Sequence, residues 1–342
     1  MKAAIFRQHG KPEVLEYTDV TAPEIRANEV LIQVKACALN HLDIFVRNGL
    51  PGIEIPLPHI LGNDIAGIVH EVGELVTWIK PGEEVMVQPG VSCGHCEACL
   101  SGRDNLCREY DMIGYRRNGG YAEFVAVPGV NVFPKPQNLS WDEAAALPLV
   151  TVTAWHMLVT RANVQPGEEV LVHAAGSGVG SIGIQIAKLR GARVITTASS
   201  EEKLEKAREL GADETINYTR ADWPKEVRRL TERRGVDVVF EHTGSATWPG
   251  SISSLKNNGR LVTCGATSGF DAQTDLRQVF YRHLTILGSF MGSKAELLEA
   301  MKFVRDGKIR AVIDRVLPLS EARQAHEVIE DRGNFGKLIL EP

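Results

Sequence analysis

Along the first 150 residues the apolar positions come in short runs cut by Gly and Pro. "EVLIQVKA" (29–36), "IAGIVHEVG" (65–73), "EEVMVQPG" (83–90) and "YAEFVAVP" (121–128) are alternating or continuously apolar, as half-buried and buried strands are. "KPGEEV" (80–85) is a turn feeding a strand. This part predicts an antiparallel barrel or sandwich. From about residue 166 the period changes. "GEEVLVHAA" predicts a strand, and "GVGSIGIQIAKLRG" has helical spacing and stops at Gly191. "ARVITTAS" predicts a strand, "SEEKLEKARELG" an amphipathic helix, "ADETINY" a short strand and "WPKEVRRLTERRG" a charged helix. "VDVVFEHTG", "GRLVTCG" and "LTILGSF" predict further strands. Strands alternating with helices imply right-handed crossovers and a parallel sheet. The tail is mixed: helix "SKAELLEAMKFVRDG", strand "VIDRVLPL", helix "SEARQAHEVIED" and strand "GKLILEP".

A chain of 342 residues exceeds one ordinary core, so two domains are expected. No segment reads as a bilayer span, and "MKAAIFRQHG" lacks the apolar core of a signal peptide. The expectation is a cytoplasmic protein without a membrane partner. The net charge of -5 contains no block of one sign, which argues against a nucleic-acid partner.

Four of the six cysteines, Cys93, Cys96, Cys99 and Cys107, form the run "CGHCEACLSGRDNLC", C-x2-C-x2-C-x7-C. Four thiolates saturate tetrahedral zinc and leave no open position, so one structural zinc per subunit is expected. Four free thiols or an adventitious disulfide is the alternative. A second group of ligand types, Cys37 and His41 in "CALNHLD" with His59 and Asp64 downstream, raises the question of a catalytic metal.

"VLVHAAGSGVG" followed by "SIGIQIAKLRG" is strand, glycine turn and helix, the pattern of a dinucleotide site. Gly178, Val179 and Gly180 open the helix, where amides and dipole favour a pyrophosphate. The alternative is a plain helix cap in an α/β domain. An NAD site usually carries an acid at the tip of the second strand, to bond the ribose 2′-OH. Here "ARVITTASS" ends in Ser199 and Ser200, and Glu201 and Glu202 begin the next helix. Ser199 can donate to a 2′-phosphate, and Lys203 lies a turn further on, which favours NADP(H) over NAD(H). Alternatively Ser199 is an N-cap and Lys203 a solvated charge.

Taken together, "VKACALNHLD", "LGNDIAGIVHEVG", the four-cysteine run, "ALPLVTVTAW", "HAAGSGVG" and "FGKLIL" resemble the medium-chain dehydrogenase/reductase superfamily, the zinc alcohol dehydrogenases and their quinone-reductase relatives. The resemblance covers essentially the whole chain. It implies an α/β protein with a GroES-like β-rich catalytic domain (1–150 and 290–342) and a doubly wound Rossmann domain (151–289), in a homodimer or homotetramer. The family's catalytic-zinc ligands fall on Asn40, on Asn63 of the Gly62–Asn63–Asp64 turn, and on Leu149. All three ligands are thus missing, and the proton-relay hydroxyl falls on Leu42. The resemblance also implies that His41 faces the cofactor phosphates and Thr153 the nicotinamide. It puts Ala266 and Ser289 on the ring side, Tyr218 and Lys203 by the 2′-phosphate and Lys337 by the cofactor.

Alcohol oxidation needs its alkoxide stabilised, which zinc achieves and amides do not. An enone, quinone or enoyl thioester needs only donors for the oxygen that gains charge. The expected activity is NADPH-dependent reduction of such a small-molecule acceptor, with Asn40, Asn63 and Asp64 as catalytic candidates. Tyr115 and Tyr121 are weaker candidates for a proton donor. The four-cysteine run is unusual for zinc-free quinone reductases, so an alcohol dehydrogenase or carbonyl reductase is the alternative. A redox sensor that binds NADPH without turnover is the third reading.

Overall fold

A computed structural model describes all residues, 1–342, as two compact units. One comprises Met1–Leu149, Ser293–Leu297 and Ala311–Pro342; the other comprises Val150–Gly292 and Leu298–Arg310. The second boundary departs from the expected return at residue 290. Most of the Lys294–Arg305 helix belongs with the second unit, because it buries Ala300, Met301 and Val304, and Phe303 packs its ring on Trp155.

In the first unit a seven-stranded sheet runs Val132–Pro134, Glu84–Val87, Asp64–Val72, Glu29–Ala38, Lys337–Glu341, Ile313–Pro318, and Phe124–Pro128 also pairs with Glu29–Ala38. Only the last two strands of that run are parallel to each other. The Trp141–Ala146 helix lies close on this sheet because its contact is built of small residues, Ala36, Ala38 and Ala66 against Ala144, Ala145 and Ala146. The expected strand at 121 begins only at Phe124, since Tyr121 pairs its backbone with Leu61 and Ala4 instead. The "NHLD" stretch is the start of a helix, His41–Asn48, which the sequence patterning did not indicate.

The second unit contains a six-stranded, all-parallel sheet in the order Glu214–Asn217, Arg193–Ala198, Glu169–Val172, Val236–Glu241, Leu255–Thr263, Thr285–Gly288. Its central strands Glu169–Val172 and Val236–Glu241 are buried along their whole length, as in a parallel sheet covered on both faces. The charged helix stops at Leu230, short of expectation, and Glu232 and Arg233 then take positive φ. The helical run Trp141–Arg161 is long and apolar enough to cross a membrane by length and composition, but 78% of its most apolar 18-residue window is buried inside the protein, as in a core helix.

Arg47 ties the first unit together. Its side chain is fully buried. Nε donates to Gly10 O (3.0 Å), Nη1 to His326 Nδ1 (2.8 Å) and Nη2 to Asn48 Oδ1 (3.0 Å), and the guanidinium pairs with Glu330. A guanidinium only donates, so His326 Nδ1 must accept and Nε2 must carry the hydrogen. Nε2 then donates to Tyr121 Oη (3.3 Å), whose hydroxyl donates to Asp43 Oδ2 (3.3 Å). Burial, followed by the Arg47 charge, holds His326 down at about 3, so the ring stays neutral. Replacing Arg47→Met strands these acceptors without a donor. Unfolding in urea should show a loss of about 3–5 kcal/mol; a loss under about 1 kcal/mol would remove Arg47 as the organiser of this unit.

Candidate active site and metal centre

Strand register converges the key side chains. Ala38 lies opposite Asp64 on one side and opposite Ile339 on the other. Both pairings are antiparallel, so continuing them by two residues sets Asn40 against Gly62 and against Lys337. The Leu39 amide bonds Leu338 O at 2.9 Å, as that register requires.

Asn40, Asp64 and Lys337 close a buried ring of hydrogen bonds. Lys337 Nζ donates to Asn40 Oδ1 (2.6 Å) and Asp64 Oδ2 (3.1 Å), and Asn40 Nδ2 donates to Asp64 Oδ2 (2.9 Å). Asp64 Oδ1 accepts from the backbone amide of Leu149 at 2.8 Å. Asn63, also buried, donates Nδ2 to Ile113 O, and its Oδ1 has no partner. Flipping that amide would set two oxygens face to face, so the orphan acceptor is a property of the site. His41 stands at the first position of its helix with its ring edge-on to Phe45. Tyr115 is buried, and Tyr121 is spent on Asp43 and His326.

Asp43, which the sequence reading passed over as a site residue, clamps the two turns. Oδ2 accepts from the Asn40 amide (2.8 Å) and Oδ1 from the Gly62 amide (3.1 Å). The N-x-x-D spacing of Asn40 and Asp43 was the available signal, since it is that of a helix-capping box. Burial pushes this carboxyl up to about 6, against the backbone donors that stabilise its charge.

The residues around Asn40 do not fit a catalytic zinc. Two carboxamides, an aliphatic Leu149 and a lysine ammonium replace thiolate and imidazole. The alternative ligands do not converge either. Cys37 lies fully buried against Gly62 and Gly120, with its thiol pushed well up by burial. His59 Nε2 faces Gly114 O at 3.3 Å, and burial lowers its pKa.

The four-cysteine lobe does fit zinc. The sulfurs of Cys93, Cys96, Cys99 and Cys107 all lie within 4.8 Å of one another. Cys93–Cys99 is 3.9 Å and Cys96–Cys99 is 3.5 Å. Zn–S bonds of about 2.3 Å in a tetrahedron need sulfurs about 3.8 Å apart. Amides of His95 and Cys96 lower the Cys93 thiol to about 6, preparing it as a thiolate. The lobe is anchored by Asp104, which pairs with Lys294 Nζ (3.2 Å) and accepts from its amide (3.0 Å).

In the second unit the glycine turn precedes the Gly178–Leu189 helix. Ser177 Oγ caps the Gly180 amide at 2.8 Å, leaving the Gly178 and Val179 amides without a partner in the chain. A Cβ on Gly180 would meet Ala174 O at 2.4 Å, so only glycine permits this close turn. Next to the turn, the His173 carbonyl accepts from His242 Nε2 (2.9 Å). Buried Glu241 holds the neighbouring strand end through the Thr243 and Gly244 amides and Thr247. At the next strand tip the helix cap is Ser200, not Ser199. Glu201 turns to Asn217 Nδ2 (3.1 Å) and Arg220 (3.9 Å). Tyr218 is partly exposed, its amide on Ala198 O, and Lys203 stands in the first turn of the helix that Ser200 caps. Thr219 and Arg220, directly after the adjacent strand, were not singled out from sequence; a base just past a parallel strand was the signal. Thr153 Oγ1 points at Met291 Sδ (3.9 Å). Ala266 spends its carbonyl on the Gly269 amide (3.1 Å), whereas Ser289 Oγ is buried without a partner. A closed glycine turn, two free amides and an orphan hydroxyl fit a bound dinucleotide.

The alcohol dehydrogenase GroES-like domain family matches residues 26–137, and the zinc-binding dehydrogenase family matches 178–306. An NAD-dependent alcohol dehydrogenase of Sulfolobus acidocaldarius is 34% identical, with 99% of each chain covered. A quinone oxidoreductase of Mus musculus is 31% identical, covering 99% of this chain and 97% of its own. A crystal structure of an NAD-dependent alcohol dehydrogenase, 51% identical over 100% of both chains, superposes with a TM-score of 0.97.

Two outcomes test this geometry. Elemental analysis should find the zinc of the four-cysteine lobe lost in Cys99→Ala; unchanged zinc would refute the lobe as its site. For Asp43 the sign is set by a folded pKa raised from 3.8 to about 6. Its contribution to stability is fully present below about pH 4 and is lost as pH rises through about 6, a change on the order of 3 kcal/mol. Urea unfolding from pH 4.5 to 7.5 should show that slope in the parent protein and a shallower one in Asp43→Asn. Equal slopes would contradict the assignment.

Proposed function

The chain belongs to the medium-chain dehydrogenase/reductase superfamily and is an NAD(P)H-dependent oxidoreductase, and from that premise we propose that it reduces an activated alkene, quinone or enoyl thioester with NADPH and without a catalytic zinc. One observation carries the reading: the Lys337 ammonium lies on Asn40 and Asp64, where the family's ligand set would have to open. A buried carboxylate and ammonium neutralise each other, and expelling Lys337 for a metal would leave a charge unpaired.

When bound, the reduced nicotinamide supplies a hydride. The chain's own residues bind, orient and stabilise. Gly178, Val179 and Gly180 would hold the pyrophosphate. Ser199, Lys203 and Tyr218, joined by Thr219 and Arg220, would meet a 2′-phosphate; Ser199 is free of capping duty, and no carboxylate stands at that strand tip. Thr153, Ala266 and Ser289 would line the ring, and His41 would face the phosphates. Asn40 keeps one amide hydrogen for an oxygen gaining charge, Asn63 offers its orphan acceptor, and Asp64 holds Asn40 in place.

A second reading, zinc-type alcohol dehydrogenase or carbonyl reductase, is favoured by the names of two of the relatives above and by the cysteine lobe. We also propose a homodimer or homotetramer. Thr285–Gly288 ends the parallel sheet with Ile286 exposed, and Leu276, Phe280 and Tyr281 are exposed nearby in sequence. An uncovered apolar edge strand invites a second copy.

Metal analysis combined with a turnover screen decides between the readings. The expected result is about one zinc per chain, NADPH oxidation with enones, quinones or enoyl thioesters, and no oxidation of simple alcohols. A second zinc that leaves with a chelator, together with alcohol oxidation, would overturn the proposal. Preference for NADH would overturn the cofactor assignment, and tight NADPH binding without any turnover would favour a sensor.

A further inference from the structure

We infer that Glu241 is a positioning residue for the dinucleotide: acting through Ser251, His173 and Thr197, it sets the direction of a buried hydrogen-bond relay that ends on the Ala174 amide and fixes the glycine turn. The inference rests on dinucleotide binding by the second unit and not on the metal-free reductase reading. All five residues belong to that unit.

The direction follows from donor and acceptor capacity. Glu241, Ser251, His173 and Thr197 are all buried. Ser251 Oγ lies 2.5 Å from Glu241 Oε2 and 2.9 Å from His173 Nε2. The two ends are 3.8 Å apart, so the serine is what joins them. Glu241 Oε1 accepts from the Thr243 amide (2.7 Å), the Gly244 amide (3.1 Å) and Thr247 Oγ1 (2.9 Å). Burial opposes a charge here, and the donors outweigh it, holding the carboxyl below its ordinary range. A carboxylate only accepts, so the single Ser251 hydrogen goes to Glu241. His173 Nε2 must then carry a hydrogen and donate to Ser251 Oγ. Burial lowers the His173 pKa to about 4, with Glu241 pulling the other way, so the ring is neutral and Nδ1 keeps a lone pair. Thr197 Oγ1, at 3.3 Å, donates to that nitrogen. Its oxygen is left to accept, and it takes the Ala174 amide at 3.3 Å.

Ala174 opens the glycine turn with φ of 48°, a left-handed backbone that a residue bearing a Cβ adopts only under constraint. Its carbonyl accepts from the Ser177 amide (2.9 Å), and Ser177 Oγ caps Gly180. The aim of the Gly178 and Val179 amides follows from that turn. Glu169–Val172 and Val236–Glu241 are neighbouring parallel strands, so the turns that leave them lie side by side. Glu241 governs both, one through its own bonds to Thr243 and Gly244 and the other through the relay. Ligands of such sheets bind at these carboxyl ends of the strands.

Glu241→Gln reverses the relay. A carboxamide that goes on accepting from the Thr243 and Gly244 amides turns its NH2 to Ser251 Oγ. Ser251 then gives its hydrogen to His173 Nε2, the imidazole hydrogen moves to Nδ1, and Nδ1 donates to Thr197. The Thr197 hydroxyl loses its acceptor, and its oxygen must serve both Nδ1–H and the Ala174 amide.

The test reads the His173 tautomer by imidazole nitrogen NMR, assigned by the signals lost in His173→Gln, and separately titrates NADH and NADPH by fluorescence. The parent protein should show the Nε2–H tautomer. Glu241→Gln should show the Nδ1–H tautomer, with affinity for the preferred dinucleotide reduced about tenfold. Thr197→Val keeps the tautomer and removes only the last link. It should lose affinity to a similar extent and speed hydrogen exchange at the Ala174 amide, and it serves alone should Glu241→Gln not fold. An Nδ1–H tautomer in the parent, an unchanged tautomer in Glu241→Gln, or affinity within about twofold of the parent in both variants would overturn the inference. A parent protein that binds neither dinucleotide would overturn it together with its premise.

Discussion

A carboxylate taken out of water must be met by donors or by a cation, and this requirement organises the first unit. Asp43 and Asp64 are both fully buried. Asp64 is met by a lysine, an amide side chain and a backbone amide; Asp43 is met by two backbone amides and a tyrosine. These donors come from distant stretches of chain, so the bonds that satisfy the charges also bring the turns bearing Asn40 and Asn63 together. Arg47 extends the constraint outward: because it can only donate, it sets the tautomer of His326 and hence the direction of every bond in that chain.

The chemistry around Asn40 differs from that of a metal centre in one physical respect. The amides, the ammonium and the carboxylate satisfy one another, and a metal would have to break that satisfaction rather than complete it. The four-cysteine lobe, by contrast, lacks an apolar core of its own and gathers four sulfurs at zinc-compatible spacing. The two stretches share ligand-type residues in the sequence, yet only one has the geometry of a metal centre.

Much was legible beforehand where the signal is local. The parallel βα pattern, the glycine turn and the cysteine spacing each depend on residues within one segment, and the elements follow those patterns closely. The legibility failed where packing overrides pattern. Tyr121 leaves its expected strand to serve the buried network, and the His41–Asn48 helix hides in a stretch of mixed residue types without a clear apolar period. The Lys294–Arg305 helix is assigned across two units because its apolar face fits the second, which no periodicity reveals.

The sequence by itself determined which groups were available: a closed set of four thiols and a glycine turn, which are properties of residue type and short spacing. That Asn40, Asn63 and Leu149 stand in place of metal ligands is what the family resemblance implies. Only the tertiary structure decided what Asn40 and Asp64 face. Lys337 lies 297 residues from Asn40 along the chain and 2.6 Å from it in space. Two antiparallel registers on either side of one strand close that gap, and register is a property of the assembled sheet.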